Sequence, residues 1–68
     1  MSNFRISIAA ARVNSNLNQR EFAEKIGVSL STVVNWEKGK TEPDASQLRM
    51  ISQLSGIPMD IIFVPKES

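Results

Sequence analysis

The sequence contains no cysteine and no histidine among its 68 residues. Without cysteine there is no disulfide, and a zinc site built without histidine would need an improbable all-carboxylate ligand set. A core this small leaves only a few kcal/mol of net stability, so such domains often add a disulfide, a metal or a partner subunit. We therefore expect a partner subunit to supply stability, with no metal ion and no cofactor.

The chain also lacks long apolar runs and a strong excess of charge. No stretch approaches the roughly 18 apolar residues of a membrane span. The N-terminus has no basic leader followed by an apolar core, so we expect no signal peptide. The absence of cysteine fits the reducing cytoplasm, which is the expected location. The net charge of +1 means that any positive, nucleic-acid-binding face must be local.

Catalytic chemistry is not expected from this set of residues. Without histidine or cysteine, a nucleophile and its base would have to be serine with lysine or a carboxylate, and no such pair is placed convincingly. A glycine loop that could cradle a phosphate is also missing. We predict no catalytic residues, no enzyme activity and no small-molecule ligand.

Apolar residues recur at helical spacing from the N-terminus onward. Phe4, Ile8 and Ala11 fall on one face of a predicted helix over Asn3–Asn14. Asn16 then suits the left-handed position after that helix, because asparagine tolerates positive φ better than any residue except glycine.

Two further helices are predicted on either side of Gly27. Asn18 is a suitable N-cap, with Glu21 placed to complete a capping box, and this helix runs to about Ile26. Ser29 is the expected N-cap of the next helix. The apolar residues expected to face the core here are Phe22, Ala23, Ile26, Val28, Val33 and Trp36.

The remaining sequence predicts one long helix and one short one. Gly39 ends the third helix, and Asp44 with Gln47 forms a capping box for a fourth, which Gly56 ends. A short fifth helix over Met59–Phe63 is expected to follow, although the segment IIFV could also be extended. The apolar stripe of the fourth helix is Leu48, Ile51 and Leu54. The expected fold is therefore an all-α, five-helix domain.

The stretch Gln19–Thr41 reads as two short helices joined by a tight turn. Ala23 supplies a small residue where the two backbones approach, and Gly27 supplies a residue free to adopt positive φ. Two helices crossed in this way can place the second one in the major groove of DNA. On these features alone, an ordinary helical hairpin with a glycine turn is an equally good interpretation.

The chain as a whole favours the helix-turn-helix. The segment LNQREFAEKIGVSLSTVVNWEKGKTEP, followed by LRMISQLSGIPMDIIF, closely resembles the lambda-repressor-like Cro/CI (XRE) family of DNA-binding domains, from about Ile8 to Phe63. A chain of 68 residues is expected to form one domain, so we predict a single helix-turn-helix domain over residues 1–68, with a core over about 4–64 and a polar tail over 65–68. The resemblance also implies double-stranded DNA as a partner.

The outward face of the third helix matches the positions at which this family reads bases. Asn35 can pair bidentately with adenine, a contact worth about 1–3 kcal/mol of discrimination, whereas Ser31 specifies little by itself. Leu30 and Val34 suit thymine methyl groups, and the alternative for both is burial in the core. The expected half-site therefore contains A·T pairs. The predicted base-reading residues are Ser29, Leu30, Ser31, Val34 and Asn35.

Other matching positions are implied to bind the DNA backbone. Gln19 stands where the family's glutamine binds a phosphate and braces the recognition helix, at a helix N-terminus whose amides favour an anion. Lys38, Lys40 and Thr41 match the phosphate-contacting loop, and such contacts position the protein without reading sequence. The alternative for each of these residues is simple exposure to solvent.

The resemblance also implies an ion pair inside the domain. In this family an arginine at the end of the first helix pairs with a glutamate at the end of the recognition helix, largely out of water. Arg12 and Glu37 match these two positions. The alternative is that they are two independent surface charges.

The C-terminal part of the chain departs from the family pattern. Leu54 stands where a small residue is usual, Ser55 where a large apolar one is usual, and Ile61 where a polar one is usual. Exposed apolar residues would mark an interface, and two-fold dimers of this family commonly use this end, with two recognition helices one DNA turn apart. Alternatively, the fourth helix is rotated to bury Leu54. The predicted dimer-interface residues are Leu54, Pro58, Ile61 and Val64.

The predicted function is a sequence-specific transcriptional regulator, expected to be a repressor. It would bind a palindromic operator as a homodimer through the major groove. The alternative is a protein-interaction module of the same fold, an antirepressor or antitoxin that acts mainly by binding a second regulatory protein. The near-neutral charge and the apolar Leu30 and Val34 leave this alternative open.

Overall fold

Four α-helices make up most of residues 4–63, the part of the chain that the computed structural model describes. In chain order the elements are β1 (Ile6–Ser7), α1 (Ile8–Asn14), α2 (Gln19–Ile26), α3 (Leu30–Lys38), α4 (Ala45–Ser55), a 3-10 turn (Met59–Ile61) and β2 (Ile62–Phe63). The helix pairs with the most extensive packing are α2 with α3 and α1 with α4. None of these helices is long and apolar enough to cross a membrane.

The helix N-termini follow local signals in the sequence. Asn18 Oδ1 accepts from the Glu21 amide at 2.7 Å, and Glu21 Oε1 accepts from the Asn18 amide at 2.9 Å. The same reciprocal pair joins Asp44 and Gln47, with both distances at 2.8 Å. Both predicted capping boxes are therefore confirmed, and each satisfies amides that the first turn of a helix leaves without an internal acceptor.

Left-handed residues end the helices, as predicted. Asn16 has a φ of 61° just after α1, and Gly27 has a φ of 87° at the end of α2. A Cβ built on Gly27 would meet no atom within 4 Å, so there is space for a side chain at this position. Glycine is favoured here because the left-handed conformation costs other residues about 1–2 kcal/mol.

The core is one apolar cluster to which all four helices and β2 contribute. Trp36, Phe22 and Ile8 are among its largest fully buried side chains, and each contributes about 1.5–3 kcal/mol relative to exposure. Ile8 and Ala11 face this core as predicted, whereas Phe4, predicted to share their face, is 62% exposed. The buried apolar residues are Ile8, Ala11, Phe22, Ala23, Ile26, Val33, Trp36, Ile51 and Ile62.

The first helix begins later than predicted. The sequence indicated a helix over Asn3–Asn14, of which Asn3 lies outside the described residues, and the observed helix begins at Ile8. Ser7 has extended backbone, and its Oγ accepts from the Ala10 amide at 3.0 Å. A serine in this conformation is an N-cap, so the residues before it are not helical.

A parallel pair of two-residue strands joins the two ends of the described chain. Ile6 pairs with Ile62, and Ser7 pairs with Phe63. A 3-10 turn over Met59–Ile61 stands where a fifth helix over Met59–Phe63 was predicted, so residues 4–63 hold four α-helices rather than five. The extended alternative for this segment is confirmed at Ile62 and Phe63. Ile62 pairs with Ile6 and is only 8% exposed, whereas the neighbouring Phe63 remains 39% exposed.

Ser55 is buried at the end of α4, with 7% exposure, where the family resemblance predicts a large apolar residue. Its Oγ accepts from the Ile57 amide at 3.2 Å and donates to the Ser52 carbonyl at 3.4 Å. Its own carbonyl accepts from Asn14 Nδ2 at 2.9 Å, which ties α4 to the end of α1. The buried serine is tolerated because its polar atoms have partners.

Replacing Asn14 with alanine is expected to lower the free energy of unfolding by about 1 kcal/mol. The part-buried Ser55 carbonyl would lose the donor that crosses from α1 to α4. Urea unfolding measures the loss, and the matched control is Gln53→Ala, which removes an exposed amide side chain from α4. Equal stabilities for the two variants would contradict a structural role for the Asn14 bond.

Candidate nucleic-acid interface

α2 and α3 meet at a tight turn around Gly27. Ala23 is only 2% exposed, and its carbonyl accepts from the amides of Gly27 at 2.8 Å and Val28 at 3.0 Å. These bonds satisfy a carbonyl at the end of α2 while the left-handed glycine redirects the chain. The small side chain of Ala23 suits the place where the two helices pack. The arrangement is a helix-turn-helix in which α3 is the candidate recognition helix.

Ser29 is engaged in capping α3. Its Oγ accepts from the Thr32 amide at 3.2 Å and lies 2.8 Å from Thr32 Oγ1 and 3.1 Å from Ser31 Oγ. Because a hydroxyl has one proton to donate, base reading by Ser29 would compete with these contacts. Thr32 was not singled out from the sequence, although its position three residues after a serine N-cap was a usable signal.

The other predicted base-reading residues lie on an accessible face of α3. Ser31 is exposed, and Leu30, Val34 and Asn35 are half-buried. Among the described residues, Leu30 and Val34 belong neither to the buried core nor to the apolar side chains packed against it. The structure therefore leaves both apolar side chains available on the same helix as Ser31 and Asn35.

The side-chain amide of Asn35 is available for pairing. Within residues 4–63 this amide forms no hydrogen bond, whereas the backbone carbonyl of Asn35 accepts from the Lys40 amide at 2.9 Å. Bidentate recognition of adenine uses both the oxygen and the nitrogen of the amide. Contact with a base edge would therefore break no hydrogen bond among the described residues.

Exposed polar side chains lie at the C-terminal end of α3 and just after it. Lys38, Lys40 and Thr41 are all exposed, and Gly39 between them turns the chain with a φ of 79°. The bond from the Lys40 amide to Asn35 keeps the start of this loop against the helix. The structure thus brings three of the four predicted phosphate-binding residues together at the C-terminal end of α3.

Arg12 and Glu37 form an ion pair that is largely removed from solvent. Arg12 Nε donates to Glu37 Oε2 at 2.7 Å, and the two side chains are 17% and 11% exposed. Arg12 Nη1 also donates to the Leu17 carbonyl at 3.1 Å, and Nη2 donates to Glu37 Oε1 at 3.4 Å. These contacts connect α1, the loop after it and the end of α3.

Gln19, the fourth predicted phosphate-binding residue, joins this ion pair. Its Nε2 donates to Glu37 Oε1 at 3.0 Å, and the side chain is half-buried at the first position of α2. The family resemblance implies that Gln19 braces the recognition helix, but it does not identify Glu37 as the partner of Gln19. They are 18 residues apart, so no local spacing indicates the contact.

The predicted dimer-interface residues are only partly exposed. Pro58 is exposed, Ile61 is half-buried, and Leu54 is half-buried and packs against the core. Val64 lies outside the described residues. The neighbouring side chains of Met59 and Phe63 are 41% and 39% exposed. The exposed apolar surface at this end therefore includes two residues that are not among the predicted interface residues.

The described part of the chain holds no metal-ligating cluster, and it has a small open pocket near its C-terminal end. No group of three or more metal-ligating side chains within residues 4–63 could hold a metal ion. A shallow open pocket of about 150 Å³ is lined by Arg5, Asp60, Ile61, Ile62 and Phe63, and the Arg5 guanidinium carbon lies 5.4 Å from the centre of the Phe63 ring. Small-molecule pockets are usually larger, roughly 300–1,000 Å³.

Comparison with known proteins points to one family. The helix-turn-helix family HTH_3 matches residues 8–62. An HTH-type transcriptional regulator of Methanocaldococcus jannaschii is 36% identical over 53 residues, which cover 78% of this chain and 80% of that protein. The cryptic phage CTXphi transcriptional repressor RstR of Vibrio cholerae is 34% identical over 56 residues, covering 82% of this chain and 50% of RstR.

A third relative is named as an activator. The HTH-type transcriptional activator BcrR of Enterococcus faecalis is 30% identical over 64 residues, covering 94% of this chain and 31% of BcrR. This chain therefore spans half or less of the length of two of the three relatives. No solved structure is a significant match to it.

Proposed function

This chain belongs to the XRE-type helix-turn-helix family, and on that premise we propose that it is a sequence-specific DNA-binding transcriptional regulator. In this proposal α3 enters the major groove, which has the width to admit an α-helix. Ser31, Leu30, Val34 and Asn35 contact base edges there. Gln19 and the loop after α3 bind the flanking phosphates.

The observation that carries the proposal is the surface of α3. An Asn35 amide without a partner among the described residues lies on the same helix as accessible Leu30 and Val34, and exposed Lys38 and Lys40 lie at the end of that helix and just after it. An amide that suits adenine and apolar side chains that suit thymine methyl groups are both base-reading groups. The lysines supply the sequence-independent attraction to phosphate that most DNA binding requires.

We further propose that the protein binds a palindromic operator as a homodimer and acts as a repressor. The apolar side chains of Met59 and Phe63, together with Pro58 and Ile61, offer a surface for a second copy. A two-fold dimer would present two recognition helices to half-sites about one helical turn apart. Repression needs only occupation of the operator, whereas activation needs a further contact with the transcription machinery.

The binding of random-sequence duplex should weaken as salt rises, because each phosphate neutralised by a lysine releases counterions. Lys38 and Lys40 set an expected slope of about −2 per subunit in a plot of log affinity against log salt. Lys40→Ala should reduce its magnitude by about 1 per subunit, and Arg49→Ala, which removes an exposed charge from α4, serves as the control. No binding at low salt would instead favour a module of this fold that binds another regulator.

Selection of bound sequences from a random duplex pool tests specificity and dimerisation. A recovered palindrome with half-sites about 10 base pairs apart would support both parts of the proposal. Enrichment of single half-sites would support sequence-specific DNA binding and contradict binding as a dimer. A pool without enrichment would count against sequence-specific binding.

A further inference from the structure

We propose that Glu37 is a positioning residue for DNA binding, in addition to its place in the ion pair. Its carboxylate holds the Gln19 amide so that an N–H group is directed to a DNA phosphate. This inference rests on the proposed function and adds to it the residue that governs the Gln19 contact. Glu37 would not touch the DNA itself.

The geometry begins with the carboxylate of Glu37. Arg12 Nε lies 2.7 Å from Oε2, and Gln19 Nε2 lies 3.0 Å from Oε1. The Arg12 side chain is itself held by the Leu17 carbonyl at 3.1 Å. Because both Arg12 and Glu37 are largely shielded from water, the carboxylate is a fixed acceptor rather than a mobile surface charge.

A fixed carboxylate determines which end of the Gln19 amide faces it. An ionised carboxylate only accepts hydrogen bonds, so it selects Nε2 and excludes the amide oxygen. One of the two Nε2 protons is used in this bond, and the other remains for an outside acceptor. A phosphate oxygen is also only an acceptor, so the amide can bridge Glu37 and phosphate with its two protons.

The position of Gln19 suits this bridge. It is the first residue of α2, next to the Asn18 cap, and the amides of a first helical turn together with the helix dipole favour an anion. The capping box uses the Glu21 amide. A phosphate near the start of α2 would therefore meet backbone donors and the oriented Gln19 side chain together.

Replacing Glu37 is expected to change the DNA affinity in the direction opposite to that expected for the loss of a negative charge. Removing a negative charge from a DNA-binding protein should strengthen binding, because repulsion from the phosphates falls. Removing Glu37 should weaken it, because the Gln19 amide loses its fixed orientation. We expect Glu37→Gln to lower the affinity for a selected operator about fivefold per subunit, the effect of one net hydrogen bond.

The matched control is Glu24→Gln, the same change of charge at an exposed position of α2. It should leave the affinity unchanged or raise it slightly. Each variant is titrated in the cold, with the folded fraction measured by far-UV circular dichroism under the same conditions. Affinities are then compared per folded molecule, so that a loss of stability does not count as a loss of binding.

A second comparison, made in a variant that lacks the Gln19 amide, separates the effect of Glu37 on Gln19 from any other effect of Glu37 on DNA binding. In Gln19→Ala, which should itself weaken binding, adding Glu37→Gln should cause no further loss. A loss that persists without Gln19 would overturn the inference, as would a gain in affinity for Glu37→Gln equal to that of Glu24→Gln. Failure of the unaltered protein to bind any duplex at low salt would refute the proposed function instead.

If Glu37→Gln is too unstable to titrate, the side-chain amide signals of the unaltered protein provide the test. The two Nε2 protons of Gln19 should be well separated in the nuclear magnetic resonance spectrum, and operator should shift mainly the one that does not face Glu37. Gln53, exposed on α4, is the internal reference. Gln19 signals that coincide with those of Gln53 before and after operator is added would overturn the inference.

Discussion

Replacing Arg12 with methionine is expected to lower the free energy of unfolding by about 3 kcal/mol, at the lower end of the cost of breaking a buried ion pair from one side. The Glu37 side chain is only 11% exposed, so its charge would remain in a poorly hydrated place with Gln19 as its only hydrogen-bond donor among the described residues. In a domain of this size the loss corresponds to a fall in melting temperature of roughly 12–24 °C.

Calorimetry or thermal circular dichroism measures this effect, and a double-mutant cycle assigns it to the pair. Arg12→Met combined with Glu37→Gln should lose less stability than the sum of the single variants, because the double variant has no unpaired charge. Arg20→Met, at an exposed position of α2, should change stability by no more than about 0.5 kcal/mol. Additive losses in the cycle would rule out the coupling.

Replacing Asn35 with alanine is expected to weaken binding to the selected operator by about 1–3 kcal/mol per half-site. If the protein binds as a two-fold dimer, both half-sites lose the contact, and the total is roughly 2–6 kcal/mol when the sites are independent. The reason is that the Asn35 amide is free within the described residues and can pair with adenine without breaking an internal bond.

The test is to measure the affinity for two duplexes by titration. One is the operator, and the other is an operator in which the A·T pair facing Asn35 is replaced by another base pair. The variant should lose its preference between the two duplexes as well as its affinity. Gln53→Ala removes an exposed amide from α4 and should change neither. A variant that retains the full preference would show that Asn35 does not read this base pair.

Much of the fold could be predicted from short stretches of sequence. Asn18 with Glu21 and Asp44 with Gln47 form the two capping boxes expected from their spacing, and Gly27 has the left-handed conformation expected of it. The resemblance to the helix-turn-helix family is confirmed by the match over residues 8–62. These features depend on residues that are close in the chain, and the backbone geometry of a cap or turn is set largely by those residues alone.

The two errors lie at the ends of the described chain, and the first has a local cause whereas the second has a distant one. Phe4 fits the helical spacing of Ile8 and Ala11, yet it lies before the serine cap and is exposed. β1 is a strand because its partner is β2, about 56 residues along the chain in the register Ile6 to Ile62. The spacing of apolar residues along a short stretch of sequence cannot reveal this pairing, because a two-residue strand is too short to show alternation of apolar and polar residues.

The sequence by itself determined where α2, α3 and α4 begin, where all four helices end, the turn at Gly27 and the family. Only the tertiary structure decided that Gln19 bonds to Glu37 and that Asn14 bonds to Ser55, whereas the family resemblance predicted the Arg12–Glu37 pair. Gln19 and Glu37 are 18 residues apart, Arg12 and Glu37 are 25 apart, and Asn14 and Ser55 are 41 apart. The physical reason is that hydrogen bonds act over about 3 Å, so partners this far apart in sequence are defined only when the packing of α1, α2, α3 and α4 brings their side chains together.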